Sequence, residues 1–309
     1  MMGFEMYSTV KVIETEAGFF ALASFRREGM NLSDASNIQK ITRHDGGVSG
    51  SLYFSVNTII NDFVVTEMGV MWAIDVLGHI HCSRPSLTNE NIDDALQVGS
   101  VEGNWSKQYI TDDVPVCLDG EDDNLWIATH QGALIHYDGS RFIKTDILLI
   151  GTPIRIRRFE RGHMALMTNK GQILEYLDGI WNTLPLADDI PQDLTINDVA
   201  YVQDTLFAVS ITGHILKCSD DGVFELHCHE QNKSWFSCMS FNDQLHLAGE
   251  KDGAWKVDDS GQLIQLKVFD QMIGISSGLN CLYFIFAEDN NGAFARYAPN
   301  ESKPWTKLF

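Results

Sequence analysis

Three short stretches carry side chains whose types and spacing could do chemistry. Gly274-Ile275-Ser276-Ser277-Gly278 has the letters of a nucleophile elbow, in which a serine on a sharp strand-to-helix turn sits beside an oxyanion hole and a His/Asp pair. No helical pattern follows it, and its place in the chain is that of a strand, so small residues near a crowded axis account for it. His227-Cys228-His229-Glu230 sets two imidazoles on one face of a strand, a start toward zinc if a third ligand came from a neighbouring strand. No second His/Cys pair is spaced to complete that set, and the stretch reads as a solvated outer strand. Asp119-Gly120-Glu121-Asp122-Asp123-Asn124 offers oxygen donors for calcium but lacks the full EF-hand loop with its closing glutamate. No catalytic residue, metal site or cofactor is therefore assigned.

The elements that would hold such residues repeat. Met71, Leu125, Met164, Leu206 and Leu245 each open an apolar strand that runs to a tight turn with glycine, then into a second strand with a polar or Asp/Gly-containing end. The turn glycines are Gly78, Gly132, Gly171, Gly213, Gly253 and Gly292, with Gly29 as a less regular first member; from Gly132 onward they lie 39, 42, 40 and 39 residues apart. Glycine belongs there because tight hairpins need a positive φ that other residues adopt at a cost. Asp138-Gly139, Asp178-Gly179 and Asp221-Gly222, each just before an aromatic residue, mark a second hairpin in the unit. Four short strands per repeat of roughly 40 residues, without an amphipathic helix between them, predict radial sheets around a channel.

Asn124 to Gly139, NLWIATHQGALIHYDG, resembles the repeat of two-component-regulator propellers, which runs Leu-Trp-Ile-Gly-Thr, a glycine turn, an aliphatic strand and Tyr-Asp-Gly. The match covers residues 114–145 well and continues more weakly over 153–309, with Ala128 where the family has glycine. The resemblance implies a propeller with WD40-like blades, although the WD40 signature pairs are absent, and a sensing or binding module; it supplies no catalytic residue. The expected fold is all-β, a single closed propeller over 1–309 with seven four-stranded blades near 6–45, 60–110, 111–150, 151–186, 195–230, 234–270 and 271–309. Residues 46–59 and 84–102 read as insertions, the second containing a short helix over Asn89-Glu90-Asn91-Ile92-Asp93-Asp94-Ala95-Leu96-Gln97-Val98. Residues 304–309 finish the last blade and the N-terminal strand begins the first, so no blade is shared at closure. Trp72 and Trp126 take equivalent core places in second strands; Trp105, Trp181 and Trp305 fall on outer strands; His79 and His214, each just after a turn glycine, tighten their turns.

Charge supplies the functional signal. Lys and Arg total 22 against 42 Asp and Glu, for a net charge of −20. Such a surface repels phosphate backbones and anionic lipid and attracts basic partners, so neither nucleic acid nor membrane is expected. Six scattered cysteines without a CxxC pair, and an N-terminus without a basic start and apolar run, predict a reduced cytoplasmic setting. The rim formed by second-to-third-strand turns and blade-to-blade links is expected to carry Asp93, Asp94, Asp112, Asp113, Asp188, Asp189, Asp193, Glu250, Asp252, Glu288 and Asp289 as a partner-binding arc. The expected function is that of a non-catalytic propeller, monomeric on its own, that binds a basic protein, in its specific form an immunity protein occluding a toxin or nuclease. Alternatives are a carbohydrate hydrolase or lyase, which needs paired carboxylates about 5–10 Å apart in the channel, and a ligand-sensing module.

Overall fold

The computed structural model describes residues 4–16, 18–27, 35–44, 47–83, 105–159, 162–251, 253–258, 260–269, 271–288 and 291–308, with backbone alone at 4–10, 23–27, 35, 44, 47, 288, 291 and 292. The described strands form seven four-stranded sheets, each antiparallel and built from four consecutive strands. The inner strands are Phe4–Thr15, Ile60–Val65, Pro115–Glu121, Pro153–Arg158, Ile196–Val202, Trp235–Phe241 and Met272–Ser277, opening blades 1 to 7. The chain is a seven-bladed β-propeller. No helix among the described residues is long and apolar enough to cross a membrane.

Strand alternation explains the ring. Successive residues of a strand face opposite sides of its sheet, so Phe20 and Leu22 pack toward blade 2 while Phe19 and Ala21 pack toward blade 7. The core is accordingly divided into one apolar cluster at each of the seven seams between blades. Trp72 fills the seam between blades 2 and 3, and Trp126 that between blades 3 and 4, as expected. Trp181 and Trp305 lie in outer strands Ile180–Leu184 and Trp305–Lys307, and Trp105 stands just before outer strand Ser106–Tyr109.

Closure uses complete first and last blades. Across that seam the Glu14 carboxylate accepts hydrogen bonds from Tyr283 Oη (2.9 Å) and Leu279 N (3.2 Å), and its other oxygen binds Arg43 (2.6 Å), whose guanidinium lies over Phe19 and Tyr283. Blade 1 differs from the rest in length: its strands run 10–12 residues, and Gly47–Val56, expected as part of an insertion, is its outer strand. Its long strands stretch the spacing that an insertion would otherwise explain. The expected insertion over 84–102, its short helix and Gly29 lie outside the described residues.

Two local features recur around the ring. Gly78, Gly132, Gly171, Gly213 and Gly253 have φ between +77° and +89°, and a Cβ on Gly78 would meet Thr111 O at 1.9 Å, so both conformation and space demand glycine there. Every inner strand also slips register against its second strand at the same point, before Lys11, Asp62, Cys117, Arg155, Asp198, Ser237 and Gly274. Such bulges re-aim side chains, and these seven positions form a ring within the propeller's centre.

Candidate functional site

The motif residues fall where their strands put them. Ser276 lies in the inner strand of blade 7 and lines the central channel, followed by a second strand rather than a helix. His227 and His229 belong to the exposed outer strand Phe224–His229, and among the described residues no three His, Cys, Asp or Glu side chains gather to hold a metal. His229 instead stacks on His214, with ring centroids 4.0 Å apart. In the DGEDDN stretch, Asp119 and Glu121 pair with Arg158, and Asp122 accepts the indole N–H of Trp72 at 3.3 Å.

The recurrent histidines act at turns. Asp75 Oδ1 accepts the backbone N–H of His79 at 3.0 Å, and Ser210 Oγ accepts that of His214 at 3.0 Å, so a side chain four residues earlier closes each turn. Asp75 is fully buried and also binds His79 Nδ1 (3.2 Å) and His81 Nε2 (2.9 Å). Burial pushes the His81 imidazole below its ordinary value, and burial of Asp75 is outweighed by these bonds, which hold its carboxyl below the usual range.

Turns and links form one rim because they bond to each other. Ile110 N donates to Gly78 O, His130 N to Val114 O, Asn169 N to Thr152 O, Glu230 N to Gly213 O, and Glu250 N to Ser234 O. Of the carboxylates expected on this rim, Asp112, Asp188, Asp189 and Asp193 are exposed. Asp113 is partly a turn-builder, accepting from Val114 N and Gln131 N at 2.8 Å, and Glu250 is half-buried. Asp93, Asp94, Asp252 and Asp289 lie outside the described residues, and Glu288 ends a second strand with only its backbone described. What charge alone did not reveal is the apolar part of the rim: Leu77, Leu148, Ile150 and Val268 are 60%, 81%, 59% and 63% exposed, with Val114 between the first two. Carboxylates also occupy the opposite rim, at Asp122, Asp123, Asp220 and Asp221.

The central channel is a cavity of about 400 Å³ to which all seven inner strands contribute. Its charged groups are organised by a tripeptide that occurs twice, Ile60-Asn61-Asp62 and Ile196-Asn197-Asp198. In each copy the asparagine amide donates to a carbonyl of the next blade, Asn61 to Pro115 O (2.6 Å) and Asn197 to Trp235 O (2.8 Å). In each copy the aspartate accepts its own next N–H and one from the next blade, Leu118 N for Asp62 and Cys238 N for Asp198, both at 3.1 Å. Lys11 then pairs with Asp62 at 2.7 Å. Asp198 instead receives two guanidiniums: Arg157 binds both its oxygens (2.8 and 2.6 Å) and Arg155 binds one (2.6 Å), with the Ser237 hydroxyl on the same oxygen. Burial alone would raise the Asp198 pKa; the two arginines hold it at about 2.

No family model matches the chain, and no curated protein matches it. Solved structures do. The WD40 propeller domain of Doa1 superposes with a TM-score of 0.62 at 12% identity, over 99% of this chain and 100% of that one. The extracellular domain of the putative one-component system BT4673 from B. thetaiotaomicron gives 0.61 at 13%, over 99% of this chain and 46% of that one, so this chain spans under half its length. YCF48 bound to D1 peptide gives 0.56 at 13%, over 82% and 81%. At these identities the likeness is one of fold. The propeller implied by the repeat is thus the observed fold, and its neighbours include a WD40 propeller and the extracellular domain of a putative one-component system.

Within this propeller the described channel carboxylates are engaged rather than poised. Asp62, Asp119 and Asp198 each meet a cation of their own or a neighbouring inner strand, and Glu14 meets Arg43. A glycosidase keeps one carboxyl protonated by its surroundings, whereas the arginines around Asp198 favour its ionised form. Buried Cys117 and Cys238 are pushed well above the ordinary thiol range by desolvation, which makes them core groups rather than nucleophiles.

Proposed function

We propose that this propeller is a non-catalytic protein-binding module that grips a basic partner on its link-and-turn rim. The observation carrying this reading is the interleaving, over blades 2 to 4, of exposed Leu77, Val114, Leu148 and Ile150 with the carboxylates Asp112 and Asp113. Apolar anchors supply most binding energy at interfaces, and complementary charge supplies encounter rate and selectivity. A net charge of −20 favours a cationic surface as the occupant. The solved YCF48 complex with a D1 peptide is a neighbour in which this fold holds a peptide, which is compatible with such a use. In its specific form the partner is a cationic toxin domain such as a nuclease, and this chain is a cytoplasmic immunity protein that covers its substrate groove.

The test is capture of a partner from the native host at low salt, elution in a salt gradient, and titration of the purified pair. Leu148→Asp with Ile150→Asp should weaken binding by about tenfold or more. Asp188→Lys with Asp189→Lys should slow association and flatten the salt dependence, while Asp220→Lys with Asp221→Lys on the other rim changes neither. Binding that ignores salt and all rim substitutions would overturn the reading.

A further inference from the structure

The Asp198 cluster does not balance its own charge. Two guanidiniums, Arg155 and Arg157, converge on one carboxylate that has no remaining capacity. Its two oxygens accept from Arg155, from Arg157 twice, from Ser237 Oγ, and from Val199 N and Cys238 N. A carboxylate has about four lone-pair sites, so further N–H groups must look elsewhere. Arg155 uses only one amino group, Nη1, on Asp198 and Ser237; its Nε and Nη2 have no acceptor among the described residues. That side chain is 31% exposed and lines the channel cavity. Its pairing with Asp198 uses Nη1 alone, so two further donor groups remain for a ligand.

The cavity beside those donors also has open space. Gly274 holds the blade 7 position in the ring of bulges, where other blades carry Lys11, Asp62, Cys117, Arg155, Asp198 and Ser237. A Cβ built on Gly274 meets nothing within 4 Å, so the cavity is open on that side. Ser240, Ser276 and Ser277 line the same cavity and offer hydroxyl donors.

We infer that the channel is a binding site for a small oxyanion, carboxylate or phosphate, held by the free fork of Arg155 in the space that Gly274 leaves open. The planar guanidinium matches either oxyanion with two parallel bonds. The site is separate from the protein-binding rim and stands or falls independently of it.

The experiment titrates the purified chain with inorganic phosphate and with succinate at constant ionic strength, by calorimetry and by the rise in Tm that ligand binding produces. Saturable binding of one or both is expected, and which one binds identifies the class. Arg155→Gln leaves Arg157 and Asp198 as a neutral pair and should weaken binding about tenfold or more, the usual worth of a charge-assisted contact. Arg155→Lys should weaken it less. Gly274→Val, where a Cβ meets nothing within 4 Å and the backbone is outside the left-handed region, should fill part of the same cavity and weaken binding. No saturable binding of either anion at millimolar concentration, or binding unchanged in both Arg155→Gln and Gly274→Val, would overturn the inference.

Discussion

The inner strands of blades 2 and 5 open with the same three residues, Ile-Asn-Asp, and put them to different electrostatic use. Asp62 and Asp198 sit at the same bulge, after the same Ile-Asn, and staple the same two backbone N–H groups. Asp62 adds a single lysine that is one-quarter exposed, whereas Asp198 is fully buried under two arginines and a serine. The backbone staple is thus a property of the motif, and the charge cluster is a property of what the neighbouring inner strand brings. Pro153–Arg158 brings three arginines; Phe4–Thr15 brings Lys11.

The largest expected difference follows from removing each charge. Asp198→Asn leaves Arg155 and Arg157 without a counterion and should cost about 3–5 kcal/mol, read as a lower urea midpoint at unchanged slope. The same cluster should dominate acid unfolding. Because its folded pKa of about 2 lies below the ordinary aspartate value of 3.8, Asp198 contributes fully above about pH 4, and that contribution drains away as the pH falls toward 2. A shift of that size is worth roughly 2–3 kcal/mol, and Asp198→Asn should lose this acid limb. Asp62→Asn comes next, at about 1–2 kcal/mol, because Lys11 can turn to water when its partner is gone. Equal costs at the two positions would break the comparison and make both aspartates simple staples.

How much of this was legible depends on range. The turn glycines and the core tryptophans Trp72 and Trp126 declare themselves through a period of roughly 40 residues and local alternation, so the ring was readable. Gly47–Val56 was misread because strands of ten residues in blade 1 mimic an insertion into a shorter repeat. The Asp198 cluster was hidden for a different reason: its arginines lie 41 and 43 positions away, and the bulge interrupts the alternation that would have flagged a buried acid. A signal did exist, since Ile-Asn-Asp recurs 16 and 15 residues before Gly78 and Gly213. The rim shows the same division. Its acidity can be counted, but in Ile147-Leu148-Leu149-Ile150 the residue types do not tell which side chains face outward; the structure buries Leu149 and exposes Leu148 and Ile150.

The smallest effect is the sharpest control, because there the two seams should behave alike. Asn61 and Asn197 donate to carbonyls three residues before the stapled N–H groups, and neither asparagine is ion-paired. Removing the amide strands one partly buried carbonyl in either seam, so Asn61→Ala and Asn197→Ala should each cost about 1 kcal/mol. The two urea midpoints should then shift by the same amount, even though the aspartates one residue later differ severalfold. If Asn197→Ala instead costs as much as Asp198→Asn, the asparagine is orienting the charge cluster and the staple is not separable from it. If Asn61→Ala costs nothing while Asn197→Ala costs its full share, the motif is structural in one seam only, and its recurrence reflects the repeat's ancestry rather than a shared mechanical need.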